Sequence, residues 1–368
     1  MRFALASRGK TVYHIENGQK GRDVSMIEVD ISNIWGEISL PELLGMEKTV
    51  FDAHMGISEA WMELPDEKEL NRMLAVAEEI RESSDLLVVV GGNASRAAFE
   101  LLRHKDALQV HFLEGSISAR ERQQLPALLE GKAISVCVES DSGLGDALMM
   151  GELKWLMERR YGTDEAHSRI HRDPWGLVTM AAAGLDLGAV IRGMENARQE
   201  LGLRAYENPA WLYAAARTLL GRKGKTVEVL MGSEPGFEAL GRWWQGQFAT
   251  GEVVPMPVRM TGDMAPAGNQ HSFETTLRFS HPEQQLPLGP EVLGVADLAR
   301  FTGKTPDQVE QEIWDDLLER HTEQGIPVIA VDCGELTEET LGILFWFFRL
   351  SGALCRGISG GESAESAE

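Results

Sequence analysis

The chain has 368 residues, a formal net charge of −22 at pH 7, 43% hydrophobic residues and 25% charged residues. These proportions are ordinary for a globular protein, and they exclude collagen-like, coiled-coil and wholly disordered chains. A chain of this length has room for about two to three domains. Because so acidic a surface repels phosphate backbones and anionic lipid heads, we expect no nucleic-acid partner and no membrane, although a local basic pocket for one small anion is compatible with it.

The cysteines and the apolar runs indicate the compartment. Cys137, Cys333 and Cys355 are scattered and form no CxxC pair, which favours reduced thiols over a disulfide scaffold. The apolar run before Arg8 is too short for the core of a secretory signal. The longest apolar run, residues 341–348, is far below the ~20 residues of a transmembrane helix. We therefore expect a cytoplasmic protein.

From residue 67 onward, short apolar runs alternate with segments of helical periodicity. Residues 67–83 carry apolar side chains at i, i+3, i+4 and i+7, which predicts an amphipathic helix, and LLVVV at 86–90 predicts a buried strand. A Gly91-Gly92-Asn93 turn then leads into a helix at about 94–102. Further strands are predicted at 108–112, 134–138, 226–230 and 327–331. This alternation is typical of an α/β fold with a mainly parallel sheet.

A passage rich in glycine and charge, residues 202–208, predicts the joint between two α/β units. The strand-helix series starts again near Lys225. The last eleven residues, 358–368, are small, polar and acidic, which predicts a disordered tail.

Two predicted strand-to-helix turns of the first unit are built like anion sites. Glycines and serines in such turns let backbone N–H groups and hydroxyls point at a phosphate beside a helix N-terminus. The candidate residues are Gly91, Gly92, Asn93 and Ser95 in the first turn and Ser140, Ser142, Gly143 and Gly145 in the second. The same residue types are also ordinary helix caps. In the second turn Glu139, Asp141 and Asp146 oppose a phosphate unless they are neutralised.

Several long motifs are collinear with one known family. They are SVCVESDSG at 135–143, AAAGLDLGAVIRGMENA at 181–197, NPAWLYAAARTLLGRKGKTVEVLMGSEPGFEALGRWWQGQF at 208–248, FETTL at 273–277 and ELTEETLGILFWFF at 335–348. Over about residues 45–357 the chain resembles phosphoglucose isomerase. The resemblance implies two SIS (sugar isomerase) domains, each a doubly wound three-layer α/β/α sandwich with a mainly parallel sheet. It also implies interconversion of glucose 6-phosphate and fructose 6-phosphate by a homodimer that needs no cofactor.

The same resemblance divides the chain into four parts. Residues 1–45 are an N-terminal extension, 46–201 a first SIS-like domain, 202–357 a second one, and 358–368 the tail.

The chemistry of this family needs a carboxylate base for the C1–C2 proton transfer and an acid/base group such as histidine for ring opening. In register with Phe248, the family's catalytic glutamate falls on Thr250, and Glu252 is the candidate replacement. The family's histidine falls on Ala265 in one alignment, whereas a GQHAF-like form of the motif makes His271 the match. His271 is our candidate, and it is equally an ordinary polar residue at the start of a strand.

Several cationic residues that the resemblance implies are missing or replaced in this chain. The family's phosphate loop SKSGTT is SDSGLG here, at 140–145, so an acid replaces a lysine. Arg172 is a loose substitute for the arginine that stabilises the enediolate. No lysine lies beyond Lys304 to match the family's C-terminal catalytic lysine. His321 matches a histidine that lies near the partner subunit's site in the family, which makes it the candidate for a shared site.

Two functions therefore stay open. The joint loss of the lysine, arginine and glutamate equivalents favours a divergent phosphosugar-binding or reassigned protein with impaired or lost isomerase chemistry. Collinearity over most of the chain favours an active aldose-ketose isomerase in which Glu252 is the base and His271 opens the ring. A purely structural dimer with a closed cleft is a third hypothesis. The ligand is expected to be a phosphosugar or a similar small anion, and the scattered histidines lack metal-ligand spacing, so no metal site is expected.

Overall fold

A computed structural model describes most of the chain. The described residues are 3–4, 14–15, 27–58, 63–102, 108–113, 118–139, 143–249, 251–260, 270–281, 286–290 and 296–360. The predicted tail lies outside them from residue 361 onward, and so do Ser140, Ser142, Thr250 and Ala265.

Within the described ranges, strands and helices alternate as the sequence predicts. The strands are β1 (Phe3–Ala4), β2 (His14–Ile15), β3 (Glu28–Asp30), β4 (Leu86–Val90), β5 (Gln109–Leu113), β6 (Ile134–Val138), β7 (Ile170–Arg172), β8 (Val227–Gly232), β9 (Val254–Arg259), β10 (Ser272–Ser280) and β11 (Val328–Glu335). The α-helices are α1 (Leu40–Gly45), α2 (Glu47–Met55), α3 (Glu67–Ser83), α4 (Asn93–Leu101), α5 (Ala119–Arg122), α6 (Leu125–Leu129), α7 (Leu144–Tyr161), α8 (Thr163–Ser168), α9 (Leu177–Ala182), α10 (Leu187–Glu200), α11 (Pro209–Arg222), α12 (Phe237–Gln247), α13 (Pro306–Glu323) and α14 (Glu338–Ile358).

The first sheet has the strand order β5-β4-β6-β7, and all its pairs are parallel. Along β4, Leu87 and Val89 point into a core that includes α3 and α9. The alternate residues Leu86, Val88 and Val90 point into a second core with α7. Because both faces of the sheet are covered, β4 and β6 are apolar without interruption, which is the pattern that marked them in the sequence.

The second sheet has the order β3-β11-β10-β8-β9. Strands β8 to β11 are parallel, and β3 pairs antiparallel with β11. The predicted N-terminal extension therefore supplies an edge strand of the second sheet. Together the two sheets and their helices confirm the predicted fold, a pair of doubly wound α/β units.

Helix α14 runs through the main core and packs closely on α10. A Cβ atom on Gly342 would lie 2.1 Å from the carbonyl oxygen of Val190, and one on Gly193 would lie 1.9 Å from the carbonyl oxygen of Glu339. Only glycine at both positions lets the two backbones approach so closely. Since α10 precedes the predicted joint and α14 follows it, this crossing ties the two units together.

In length and composition α14 also matches a membrane-spanning helix, and no other helix of the described residues does. However, 78% of its most apolar window is buried inside the protein. The aromatic run Phe345 to Phe348 packs with its neighbours, with the ring centroids of Trp243 and Phe345 4.7 Å apart. The burial of this helix is thus accounted for by its place at the centre of the core.

Candidate functional site

The chain order of the first sheet reverses between β4 and β6. The connection from β4 leads outward to β5, whereas β6 and β7 lie on the other side of β4. In doubly wound sheets, ligands bind in the crevice that such a reversal leaves at the carboxyl ends of the strands. The two turns that the sequence singles out follow β4 and β6, so both border this crevice, which we call the first crevice.

The first crevice contains a cavity of about 290 Å³. Its lining consists of Gly91, Gly92, Asn93, Arg96, Phe112, Leu113, Gly143, Gly145, Asp146 and Arg242. Five of the predicted phosphate-binding residues are thus brought together around one space. Two other candidates, Ser140 and Ser142, lie outside the described residues.

The turn after β4 depends on its glycines. Gly91 has a φ of +73°, in the region that favours glycine. A Cβ atom on Gly92 would lie 2.6 Å from Cγ1 of Val89, which leaves no room for a side chain. Helix α4 then begins at Asn93, so its first backbone N–H groups lie at the cavity. Such a helix N-terminus favours an anionic group.

Two arginines that the sequence analysis missed line the same cavity. Arg96 lies in the first turn of α4, where its Nε donates to Oε1 of Glu100 at 2.7 Å. Arg242 is an exposed side chain of α12, in the second unit. They face one acid, Asp146, in the first turn of α7. The cavity therefore combines glycine backbone with two cations, although the chain as a whole is strongly acidic.

Ser95 is buried below the cavity and its hydroxyl donates to the carboxyl group of Glu139. Burial and the nearby carboxylate of Asp173 raise the pKa of Glu139 to about 8. Near pH 7 this carboxyl group is largely protonated, so the acid that the sequence places beside the phosphate turn carries little charge. The Ser95 hydroxyl is occupied by this hydrogen bond and does not line the cavity.

Arg172 is the last residue of β7, and Asp173 follows it at the same edge of the sheet. The buried carboxylate of Asp173 accepts hydrogen bonds from the backbone N–H groups of Val178 and Thr179, at 3.2 and 2.8 Å, and from the Thr179 hydroxyl at 2.9 Å. It caps the start of α9. Arg172 is exposed beside Val138, its partner in the sheet, and does not belong to the lining of the cavity.

The candidate base and the candidate histidine lie at the amino edge of the second sheet. Glu252 is exposed two residues before β9, and His271 is exposed one residue before β10. Val254 and Ser272 both pair with Val227, from opposite sides of β8. Two strand spacings, about 10 Å, therefore separate the two strand starts. Glu252 forms no hydrogen bond or ion pair with the described residues.

A buried ion pair supports the loop that carries Glu252. The Nε atom of Arg217 donates to Oε2 of Glu228 at 2.6 Å, and both side chains are almost completely buried. The same guanidinium group donates to the carbonyl oxygen of Val253 at 3.1 Å and stacks 4.7 Å from the ring of Phe248. Both ends of the loop are thus fixed by Arg217.

Comparisons with known proteins agree with this architecture. No protein-family profile matches the chain. The chain is 29% identical to a glucose-6-phosphate isomerase of Bacillus cereus (strain AH187) over 360 aligned positions, 80% of each protein. It is also 29% identical to the glucose-6-phosphate isomerase of Alkaliphilus metalliredigens (strain QYMF) over 406 aligned positions, 90% of each protein. The chain is therefore similar to glucose-6-phosphate isomerases over most of its length.

Two solved structures share the fold of this chain. A hypothetical protein from Thermus thermophilus superposes with a TM-score of 0.74 at 18% identity, over 92% of this chain and 95% of that chain. A glucose-6-phosphate isomerase from Chlamydia trachomatis superposes with a TM-score of 0.65 at 12% identity, over 92% of this chain and 85% of that chain. At such low identity these likenesses show the fold alone.

His321, the candidate for a shared site, is buried in this chain. It lies on α13, and its Nδ1 atom is bonded to Oε2 of Glu274, the buried glutamate of the FETTL motif. The sequence predicts that His321 contributes to a site shared with a partner subunit. In the described chain its imidazole joins α13 to β10 inside the second unit, and its contribution to a partner subunit's site stays a prediction.

Proposed function

We propose that the chain binds a phosphosugar in the first crevice and that its isomerase chemistry is impaired or lost. The observation that carries this proposal is the cavity of about 290 Å³, lined by the glycines of both turns together with Arg96 and Arg242. A sugar phosphate fits this combination because its dianionic group is recognised by backbone N–H groups at a helix start and by guanidinium donors.

We propose impaired chemistry because of the positions of the proton-transfer groups. A base and a ring-opening acid must both reach one bound sugar. Glu252 and His271 are exposed, precede different strands and have no mutual contact, since β8 lies between those strands. The chain also lacks a lysine after Lys304 that could supply a C-terminal cation. These features favour binding without efficient turnover.

Calorimetric titration with glucose 6-phosphate tests the binding part of the proposal. Arg242→Ala is expected to weaken the affinity about 10- to 100-fold, because a hydrogen bond to a charged group is worth about 1.5–3 kcal/mol. The matched control is Arg72→Ala, since the Arg72 side chain is 74% exposed on α3 and pairs only loosely with Glu69, at 3.8 Å. Glucose without phosphate is expected to bind much more weakly than glucose 6-phosphate. Equal affinity of the wild type and Arg242→Ala for the phosphorylated sugar would contradict the proposed site.

An active glucose-6-phosphate/fructose-6-phosphate isomerase is the second candidate function. Two observations favour it, the family relationship over 80–90% of the chain and the exposed, unpaired carboxylate of Glu252. Helix α12 carries Arg242 into the cavity and ends at Gln247, five residues before Glu252. A coupled assay distinguishes this candidate from the first.

We also propose a cytoplasmic homodimer, which the family resemblance implies. Light scattering coupled to size-exclusion chromatography measures the mass in solution. The proposal expects twice 40.6 kDa, whereas a mass of 40.6 kDa at micromolar concentration would contradict it.

A further inference from the structure

The second sheet also has a switch point, and it carries a different set of side chains. Strands β8 and β10 are neighbours, and the chain order reverses between them. Glu234 follows β8, His281 follows β10, and Glu310 reaches the same place from the second turn of α13. We call this place the second crevice. No residue of the proposed phosphosugar site belongs to it.

The three side chains form a compact donor set. One potential ligand atom of each, two carboxylate oxygens and an imidazole nitrogen, all lie within 4.8 Å of one another. The Nε2 atom of His281 is 2.8 Å from Oε1 of Glu234. In a tetrahedral site with metal-ligand distances near 2.1 Å, ligand atoms are about 3.4 Å apart. Shifts of about 1 Å or less in side-chain ends would therefore place all three around one ion.

The electrostatics of the second crevice match a dication. Glu234 is buried and Glu310 is half-buried, and neither carboxylate forms an ion pair with a lysine or arginine of the described residues. With a neutral imidazole the donor set carries a formal charge of −2. A divalent cation would neutralise it, and the acidic surface of the chain attracts such ions.

Outer hydrogen bonds orient the donors. The Ser233 hydroxyl donates to Oε1 of Glu310, and the backbone N–H of His281 donates to Oδ1 of Asp307 at 2.9 Å. Partners of this kind hold ligating groups in place and are typical of metal sites. Two carboxylates and one imidazole suit Zn²⁺ or Mn²⁺, whereas Mg²⁺ and Ca²⁺ prefer oxygen donors throughout.

We propose that Glu234, His281 and Glu310 bind one divalent transition-metal ion, of the Zn²⁺ or Mn²⁺ type, at the switch point of the second sheet. The ion leaves coordination positions for water or a small anion, because the protein supplies three ligands. It joins the end of β8, the end of β10 and α13, so its binding stabilises the folded second unit. This proposal departs from our expectation that the chain has no metal site. The spacing of the histidines alone does not reveal it, because two of its three ligands are glutamates.

The test uses the tag-free full-length protein, stripped with EDTA and then titrated with Zn²⁺ or Mn²⁺. The bound metal is measured by mass spectrometry after desalting. We expect about one ion per chain, and a rise of about 3–4 °C in the melting temperature when the free metal is about a hundred times its dissociation constant. In His281→Ala and in Glu310→Gln the affinity is expected to fall at least tenfold. Glu310→Gln changes a half-buried group conservatively, so it remains informative if His281→Ala folds poorly.

The matched control is His167→Ala. His167 also lies beside a glutamate, with its Nε2 atom 3.3 Å from Glu158, but it is far from the cluster in sequence and lies on the exposed helix α8. It is expected to bind metal like the wild type. Two results would overturn the proposal: less than about 0.2 ions per chain in the wild type at saturating metal, or the same metal content and melting shift in Glu310→Gln as in the wild type. The phosphosugar titration is independent of this outcome, because it probes the first crevice, which shares no residue with the metal cluster.

Discussion

The switch points of the two sheets differ in the charge that they present. Both sheets are doubly wound, and both have a crevice where the chain order reverses. The first crevice combines Gly91 and Gly92 with Arg96 and Arg242, and its neighbouring acid Glu139 is largely protonated near neutral pH. The second crevice gathers Glu234, His281 and Glu310. The first is suited to an anion and the second to a cation.

This contrast shows that the topology provides the position of a site and that a few loop residues decide its ligand. The same winding of strands and helices supports opposite chemistries at two places of one chain, as is general for such folds. A family relationship that rests on the fold therefore predicts where to look more reliably than it predicts what happens there.

The largest expected effect comes from Glu228→Gln, in β8 of the second sheet. The change leaves the buried guanidinium group of Arg217 without its counter-charge, which costs about 3–5 kcal/mol of unfolding free energy. Glutamine also keeps only one acceptor oxygen, so it cannot serve both Arg217 and the Tyr213 and Thr275 hydroxyls, which lie 2.6 Å from Oε1 of Glu228. Urea denaturation measures the loss.

The control for this variant is Glu165→Gln. Glu165 pairs with Arg169 at the surface, where a salt bridge is worth at most about 1 kcal/mol. A loss at Glu228 no larger than the loss at Glu165 would show that the buried pair does not support the second unit.

The second effect is a loss of folding stability that affects both units together. Gly193→Ala places a methyl group against the carbonyl of Glu339, where α10 crosses α14, and the overpacking is expected to cost about 3 kcal/mol. Gly246→Ala on α12 is the opposite case. No atom lies within 4 Å of its added Cβ, so we expect a gain of about 0.5–1 kcal/mol from helix propensity. Thermal denaturation of both variants measures the difference, and equal melting temperatures would contradict the close helix contact.

The last effect depends on pH and sharpens the description of the first crevice. The pKa of Glu139 is raised from 4.5 to about 8, so the folded state binds a proton that the unfolded state releases between these values. The contribution of Glu139 to stability is therefore full below pH 4.5 and is lost as the pH rises towards 8. We expect a decrease of about 4 kcal/mol across this window, because one pKa unit corresponds to about 1.4 kcal/mol and the pKa is raised from 4.5 to about 8.

Glu139→Gln removes this titration, since an amide has the same shape and no proton to lose. Its unfolding free energy is expected to change less between pH 5 and 8 than that of the wild type. The measurement is a set of urea curves at several pH values. An identical pH dependence in both proteins would mean that Glu139 is ionised in the folded state at neutral pH.

Local patterns predicted much of the fold. The helix at 67–83 has the predicted bounds because its apolar stripe and the Asp66 cap both mark it, and Asp66 accepts from the N–H of Glu69 at 2.7 Å. The strands at 86–90 and 134–138 have the predicted bounds because both of their faces are buried. The edge strand β3 was missed. It has three residues and only becomes a strand by pairing with β11, more than 290 residues away in sequence.

The candidate site was predicted less completely, because part of it also depends on contacts between residues far apart in sequence. Gly91 and Gly143 were found because glycines after buried strands are a local signal. Arg242 was missed because it reaches the first crevice from the second unit, through the packing of α12 on the first unit. The bond between Ser95 and Glu139 also requires the fold, since a sequence shows a serine and an acid but not their distance. Long-range contacts of this kind have no signature in a single sequence.

The central claim is that the chain binds a phosphosugar without isomerising it efficiently, and a coupled assay tests it most directly. The conversion of fructose 6-phosphate to glucose 6-phosphate is followed on the purified wild type and on the double variant Glu252→Gln, His271→Ala, at substrate concentrations above the measured dissociation constant. We expect the same background rate in both proteins. Glu252 and His271 precede strands on opposite sides of β8, so they do not act together on one bound sugar. Activity in the wild type that disappears in the double variant would contradict the account and identify the chain as a working isomerase.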